Sequence, residues 1–237
     1  MSVTDDLQSL IDRTNRDLDD WSDFSEHTIA VWQAFYLWVS AGHKLKSENT
    51  ATGRKFTEAD LVALSQFYLT ENLAPFALQR FIAVFEIFVF DFLRILLLRN
   101  PGHLPSRSLM LAELLPLRGN PAALEIIIEE AVAKKLNELR FASPKEWFEF
   151  LNKIEKLGCP SVDEIESISE IKATRDVVEH NGGIVNAIYL AKAAKKARFE
   201  NGEAALVPDD YLRNSWHLLK KISNDLNAAA IKLFTIK

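Results

Sequence analysis

The sequence predicts an all-α fold, a multi-helix bundle, and three observations carry that prediction. Apolar residues make up 48% of the 237 residues, which is enough for a substantial core. Glycine and proline are scarce, with 8 of each. In the segments between glycines and prolines, apolar residues recur every three or four positions. Residues that typically begin or end helices flank these segments.

The N-terminal region predicts two amphipathic helices. The first extends from about Asp20 to Lys46, where apolar side chains recur at helical spacing. These side chains are Ile29, Trp32, Phe35, Tyr36 and Val39. Thr57, followed three positions later by Asp60, predicts a capping box at the start of the second helix, since each side chain can bond the other residue's backbone N–H.

The longest apolar segment, from Phe81 to Leu98, predicts the central helix of the bundle. Pro75 suits its first turn, and Pro101 follows its expected end at Asn100. Three charged residues interrupt the segment: Glu86, Asp91 and Arg94. Because each charge is costly in hydrocarbon, the segment is interpreted as a bundle helix rather than a membrane span, and no membrane partner is expected.

The next two helices are delimited by asparagine, serine, proline and glycine. One is predicted from Asn120 to about Leu139. Ser143 and Pro144 then supply an N-cap and a first helical residue, and Gly158 ends that helix.

Two more helices complete the prediction. Ser161 or Asp163 opens a helix that runs to His180 and breaks at the Gly182-Gly183 pair, where left-handed backbone costs little. After a further short helix, Asn201-Gly202 favours a type I′ turn, which predicts a small β-hairpin near 197–207. Residues 208–210 then introduce a final helix that ends at about residue 234.

Charge and composition exclude several functional classes. A net charge of −5 argues against a protein that coats nucleic acid through a broad basic surface, although a small local site is compatible with it. Cys159 is the single cysteine, so no intrachain disulfide forms, and the first residues lack a signal-peptide pattern; the expected location is the cytoplasm. No zinc-ligand spacing, phosphate-binding glycine loop or nucleophile elbow occurs, so no metal or other cofactor is expected.

The segment from Arg175 to Asn186 is the strongest candidate for chemistry. Arg175, Asp176, Glu179 and His180 share one face of the predicted helix. An arginine fork can neutralise a phosphate and an imidazole can move protons, so the pair supplies a minimal metal-free phosphodiester site. The purely structural interpretation is a surface ion pair between Arg175 and Glu179, with His180 near the negative end of the helix dipole.

This segment resembles the HEPN superfamily of helical-bundle proteins. Their motif is an arginine, a polar residue and then a histidine four to six residues after the arginine, matched here by Arg175, Asp176 and His180. The following Asn-Gly-x-Ile-Val-Asn at 181–186 is similar to branches in which Asn, Gly and a β-branched pair follow the histidine. Asp176 stands where the family more often has asparagine. The resemblance covers roughly residues 74–237, and residues 1–73 are then an N-terminal helical extension packed on that core.

The resemblance implies a homodimeric, metal-independent endoribonuclease with a toxin, stress or defence role, and with an antitoxin or regulatory protein as a possible further partner. In that mechanism a ribose 2′-hydroxyl attacks the adjacent phosphate, so RNA is cleaved and DNA is not. Transferred by position, His180 moves the proton, Arg175 stabilises the developing charge and Asp176 orients one of them. Two alternatives stay open: a non-catalytic module that binds RNA, a nucleotide or a protein, and a structural protein whose polar face is merely ion-paired.

Further residues are weaker candidates around the same segment. Glu179 and Asn181 flank the histidine and are expected to contact bound RNA. A downstream basic group, either an RNA-contacting patch or a solvated helix face, comprises Lys192, Lys195, Lys196 and Arg198. Glu86 is either a buried carboxylate bonded to a neighbouring segment or a partner that positions Arg175. Arg213 and His217 form a second Arg/His pair without the glycines that follow the first.

Overall fold

A computed structural model describes residues 2–43, 45, 47–104 and 120–236 of the chain. Its helices and strands, in chain order, are α1 (Val3–Ser40), β1 (Ser47–Asn49), β2 (Arg54–Phe56), α2 (Glu58–Phe67), α3 (Leu73–Arg99), α4 (Ala123–Arg140), α5 (Pro144–Ile154), α6 (Val162–His180), α7 (Ala187–Ala193) and α8 (Asp209–Ile236). The fold is an all-α bundle with one small antiparallel hairpin among the described residues, which confirms the predicted fold class.

The core of the bundle forms around α3, which packs against α1, α4, α5, α6 and α8. Aromatic side chains of α3 fill this core together with aliphatic ones from its neighbours. Representative buried members are Leu7, Leu10, Leu18, Phe81, Phe85, Phe88, Phe92, Trp147, Ile168, Leu219 and Leu226. The first half of α1 contributes side chains to this same core, so it is packed as part of the bundle and not as a separate unit.

Three helix starts lie at the predicted caps. The side chains of Thr57, Ser143 and Ser161 each accept a backbone N–H, and a carboxylate three residues later bonds back to the cap residue. These hydrogen bonds hold the pKa of Glu146 below its usual range. The pKa of Glu164 is lowered as well, first by the Lys221 ammonium and then by Ser161. Local pairing rules therefore located the starts at Thr57 and Ser143, and of the two residues predicted to open α6, Ser161 is the cap.

The first helix differs from its predicted bounds of Asp20 to Lys46, because it starts at Val3 and ends at Ser40. Ser2 and Asp5 form a capping box that starts it much earlier. It ends because Gly42 adopts a φ of +82°, which is incompatible with a right-handed helix. Lys46 lies outside the described residues.

Helices α2 and α3 are joined by a π-helical turn at Tyr68–Asn72, and Pro75 is the third residue of α3. Proline has no N–H to donate and its ring crowds the carbonyl four residues earlier. A wider turn just before Pro75 relieves that conflict, which explains how a proline fits an otherwise continuous helical segment.

The β-hairpin lies at 47–56, not near 197–207 as predicted from Asn201-Gly202. Its turn is made by Asn49, whose side chain accepts two backbone N–H groups, and by Gly53 with a φ of +66°. At 200–203 the chain does turn, but positive φ occurs at Gly202 and not at Asn201. A type I′ turn needs positive φ at both central residues, so no two-residue hairpin forms there.

After that turn, residues 202–205 pair with the segment 183–185 instead of with residues 197–199. The backbone N–H of Ala205 donates to the carbonyl of Gly183 at 2.7 Å, and that of Val185 donates to Glu203 at 2.8 Å. The turn therefore brings the loop 197–207 onto the C-terminal end of α6.

No helix in the described part of the chain is both long and apolar enough to cross a lipid bilayer. The charged residues predicted to interrupt the central helix account for this in α3. Arg94 pairs with Glu129 of α4 at 2.7 Å, and Asp91 pairs with Arg13 of α1 at 2.6 Å.

We expect Ser161→Ala to lower the free energy of unfolding by about 1 kcal/mol, because it removes the cap of α6. Ser167→Ala is the matched control on the same helix: its hydroxyl bonds only the carbonyl of Asp163, an interaction that adds little to helix stability. Urea denaturation of the two variants measures the difference. Equal stability would mean that the capping box does not hold α6.

Candidate functional site

The candidate site lies on α6, which contacts α3, α5 and α7. The helix ends at His180 because Gly182 and Gly183 have φ values of +59° and +77°, as the glycine pair predicted. The Asn181 side-chain amide donates to the carbonyl of Ile184 across this turn. Asn181, expected to contact RNA, is therefore used to shape the end of the helix.

Arg175 is the centre of the site and is only 15% exposed. Its guanidinium contacts three carboxylates, each through a different nitrogen. Nη2 donates to Glu86 Oε1 on α3 at 3.0 Å, and Nη1 donates to Glu179 Oε2 at 3.3 Å. Nε lies 3.1 Å from Asp176 Oδ1, but the direction of the N–H is unsuited to a hydrogen bond, so this contact is electrostatic alone.

Two of these carboxylates are shared with lysines. Lys172, one turn before Arg175, donates to the same oxygen of Glu86. Lys192 of α7 donates to Asp176 Oδ2 at 2.8 Å. The cluster of Glu86, Lys172, Arg175, Asp176, Glu179 and Lys192 therefore contains three anions and three cations.

His180 lies at the exposed edge of this cluster, with 69% of its side chain accessible. Its Nε2 is 3.9 Å from Glu179 Oε2, the same oxygen that accepts from Arg175 Nη1. Arg175 and His180 therefore converge on one carboxylate oxygen. The structure brings together the two residues of the predicted motif, and Glu179 lies between them.

Asp176 contacts Arg175 and Lys192 rather than His180. Of its two predicted roles, orienting the arginine is the one compatible with these contacts. Glu86 satisfies both interpretations offered for it, since it is a largely buried carboxylate and also bonds Arg175 directly.

The predicted basic patch forms a row of ion pairs with α6. Each of its four cations has a carboxylate partner on that helix: Lys192 with Asp176, Lys195 with Glu166, Lys196 with Asp163, and Arg198 with Glu170. The Glu166 carboxylate, 2.9 Å from Lys195 Nζ, raises the pKa of that ammonium. Because each charge is balanced, this surface does not form the uncompensated positive patch that attracts phosphates.

The pair between Glu170 and Arg198 belongs to a buried network that the sequence analysis missed. Glu170 Oε1 accepts from Tyr189, Arg198 and Thr174 at 2.8–3.0 Å, and Oε2 accepts from Tyr211 at 2.8 Å. Burial is the main cause that raises the pKa of both tyrosines, so their hydroxyls remain donors at neutral pH. The available signal was Glu170 itself, a charged residue on the apolar side of α6.

This network anchors the loop 197–207 beside the motif. The Arg198 guanidinium stacks on the ring of Tyr211 with 3.3 Å between its carbon and the ring centroid, and it donates to the carbonyl of Leu206 at 3.3 Å. The backbone before it is strained, because Ala194 has a φ of +47°. These side-chain contacts hold the loop on α6 in addition to its backbone pairing with residues 183–185.

The second Arg/His pair lies elsewhere in the fold. Arg213 lines a groove of about 410 Å³ between α1 and α8, and His217 contacts the ring of Trp216. A second groove, of about 480 Å³, lies between α1 and α3. Neither groove includes Arg175 or His180, so the motif lies outside both grooves, and His180 itself is largely exposed.

Comparison with known proteins adds no assignment: no family model, curated protein or solved structure matches the chain. The described residues contain no group of three or more His, Cys, Asp or Glu side chains arranged to hold a metal ion.

We expect Arg198→Ala to destabilise the protein by about 3 kcal/mol, because it leaves the buried Glu170 carboxylate without its counter-charge. Lys195→Ala removes a neighbouring ion pair on an exposed surface and should change stability little. Thermal and urea denaturation of both variants provide the test. Similar small effects of the two substitutions would show that the Glu170 network is not a stabilising one.

Proposed function

We propose that the chain is a metal-independent endoribonuclease of HEPN type that acts in the cytoplasm in a toxin, stress or defence role. The observation that carries the proposal is the convergence of Arg175 and His180 on a single anionic oxygen, Glu179 Oε2. A phosphodiester is also an anion, and its oxygens can accept hydrogen bonds from the same two side chains. The resemblance of residues 175–186 to the HEPN motif supports the same reaction.

In the proposed reaction, the ribose 2′-oxygen forms a bond to phosphorus and the bond from phosphorus to the 5′-oxygen breaks. His180 accepts the proton of the 2′-hydroxyl, and the leaving 5′-oxygen takes a proton from His180 or from solvent. Arg175 stabilises the charge that develops on the phosphorane oxygens. The products are a 2′,3′-cyclic phosphate end and a 5′-hydroxyl end.

A homodimer, as in the HEPN superfamily, is part of the proposal. An open site on one chain needs a second surface to form a cleft around a strand of RNA. Two exposed isoleucines, Ile184 and Ile188, follow the motif in the chain, and they are apolar residues of the kind that pair in dimer interfaces. An antitoxin or another regulatory protein that covers the same face is a further proposed partner.

A second candidate is a non-catalytic module that uses the same site to hold RNA, a nucleotide or a protein. The observation that favours it is the set of three carboxylates around Arg175, which reduces the positive charge offered to a phosphate. Such a module binds RNA with an affinity that falls as salt rises, and it turns over no substrate.

We expect the purified protein to cleave mixed cellular RNA in EDTA, and either Arg175→Ala or His180→Ala to reduce the rate at least about 100-fold. Arg213→Ala and His217→Ala are matched controls, since they remove the same residue types from α8, and should leave the rate unchanged. Circular dichroism verifies folding, and end analysis detects 2′,3′-cyclic phosphates.

The outcomes separate the candidates. Intact RNA with the wild-type protein contradicts a nuclease that acts without a partner. Salt-sensitive RNA binding that is lost in Arg175→Ala then favours the binding module. Equal cleavage by wild type and by the two motif variants would mean that the motif residues do not catalyse the reaction.

A further inference from the structure

We infer that the Glu179 carboxylate occupies the position of the substrate phosphate, so that Glu179 is a displaceable side chain that competes with anions for Arg175 and His180. The inference rests on the proposed function, because it concerns the same site. It adds a residue, Glu179, that regulates anion binding there. No catalytic role is assigned to Glu179. Its removal should strengthen binding rather than weaken it.

The three carboxylates around Arg175 are not equivalent. The side chains of Glu86 and Asp176 are 24% and 21% exposed, whereas that of Glu179 is 43% exposed. Glu86 and Asp176 are each also bonded to a lysine, Lys172 and Lys192 respectively. Within the described residues Glu179 has no lysine partner, and its contacts are with the side chains of Arg175 and His180 themselves.

Displacement of Glu179 therefore requires little rearrangement. Glu179 lies four residues after Arg175 on the same helix, and a change of its side-chain rotamer breaks the contact without backbone movement. A partly exposed ion pair of this type adds little stability, so an incoming anion exchanges with it readily. Glu86 and Asp176 keep their contacts and continue to hold the guanidinium in place.

The vacated position suits a phosphate oxygen. Arg175 Nη1 is 3.3 Å and His180 Nε2 is 3.9 Å from the present carboxylate oxygen. An oxygen placed there accepts a charge-assisted hydrogen bond from Nη1 and approaches the imidazole from its accessible side. Free phosphate and an RNA phosphodiester carry the same phosphate oxygens, so both would contact the same two side chains, Arg175 and His180.

The test is a titration with inorganic phosphate at constant ionic strength, monitored through the imidazole NMR signals of His180. We expect Glu179→Gln to bind phosphate about five- to tenfold more tightly than wild type, since it removes a negative charge next to the anion and keeps the size of the side chain. Glu179→Asp retains the charge and should remain close to wild type.

Glu129→Gln is the matched control. Glu129 pairs with Arg94 between α4 and α3 at 2.7 Å, with both side chains about half exposed. The substitution changes the net charge by the same amount as Glu179→Gln, but it should leave the affinity reported by His180 within about twofold of wild type, because a distant exposed charge is screened. Glu179→Ala provides a second variant if the glutamine variant folds poorly.

Three results would overturn the inference: equal phosphate affinity in wild type and Glu179→Gln, an equal gain in Glu129→Gln, or His180 signals that phosphate does not shift in either protein. RNA cleavage distinguishes these failures from failure of the proposed nuclease. Tighter phosphate binding without cleavage supports the inference and contradicts the nuclease. Arg175-dependent cleavage that is indifferent to Glu179→Gln supports the nuclease and overturns the inference.

Discussion

The contact between Arg175 of α6 and Glu86 of α3 is the interaction on which the candidate site depends. A guanidinium that is largely removed from water needs compensating charge, and without it the helix face would not remain packed against α3. Glu86 supplies that charge from the most apolar of the described helices, and Lys172 binds the same carboxylate oxygen. Arg175 is thereby fixed in position, with one nitrogen directed to the exposed end of α6 where His180 lies.

The opposite side of α6 is fixed by a second buried anion. Glu170 gathers four donors from α6, α7, α8 and the loop 197–207, and Arg198 is the charged one. The loop in turn pairs through its backbone with residues 183–185, directly after the motif. Two buried or largely buried carboxylates, one on each side, therefore hold α6 and its C-terminal turn. The side chains of Glu179 and His180, at the free end, are the ones that can move when an anion arrives.

Most helix starts, which depend on nearby residues, could be predicted from the sequence, although the local capping box of Ser2 and Asp5 was missed. Contacts between distant residues could not be predicted. The caps at Thr57 and Ser143 are local pairs within four residues and were located correctly, and Ser161 was one of the two residues predicted to open α6. The hairpin predicted from Asn201-Gly202 does not form, because the residues after the turn pair with residues 183–185 and not with residues 197–199. In the site, the shared face of Arg175 and His180 followed from helical periodicity. The pairing of Glu170 with Arg198 could not be predicted from periodicity, because Arg198 lies 28 residues further along the chain.

The most direct test of the central claim is a crystal structure of the protein with a short RNA whose 2′-hydroxyls are replaced by fluorine, which prevents cleavage. We expect a phosphate oxygen within hydrogen-bonding distance of Arg175 Nη1 and close to the His180 imidazole. Glu179 should be rotated away, and the Arg175 contact with Glu86 should be retained. RNA bound elsewhere, with the contact between Arg175 and Glu179 intact, would contradict phosphate binding by Arg175 and His180.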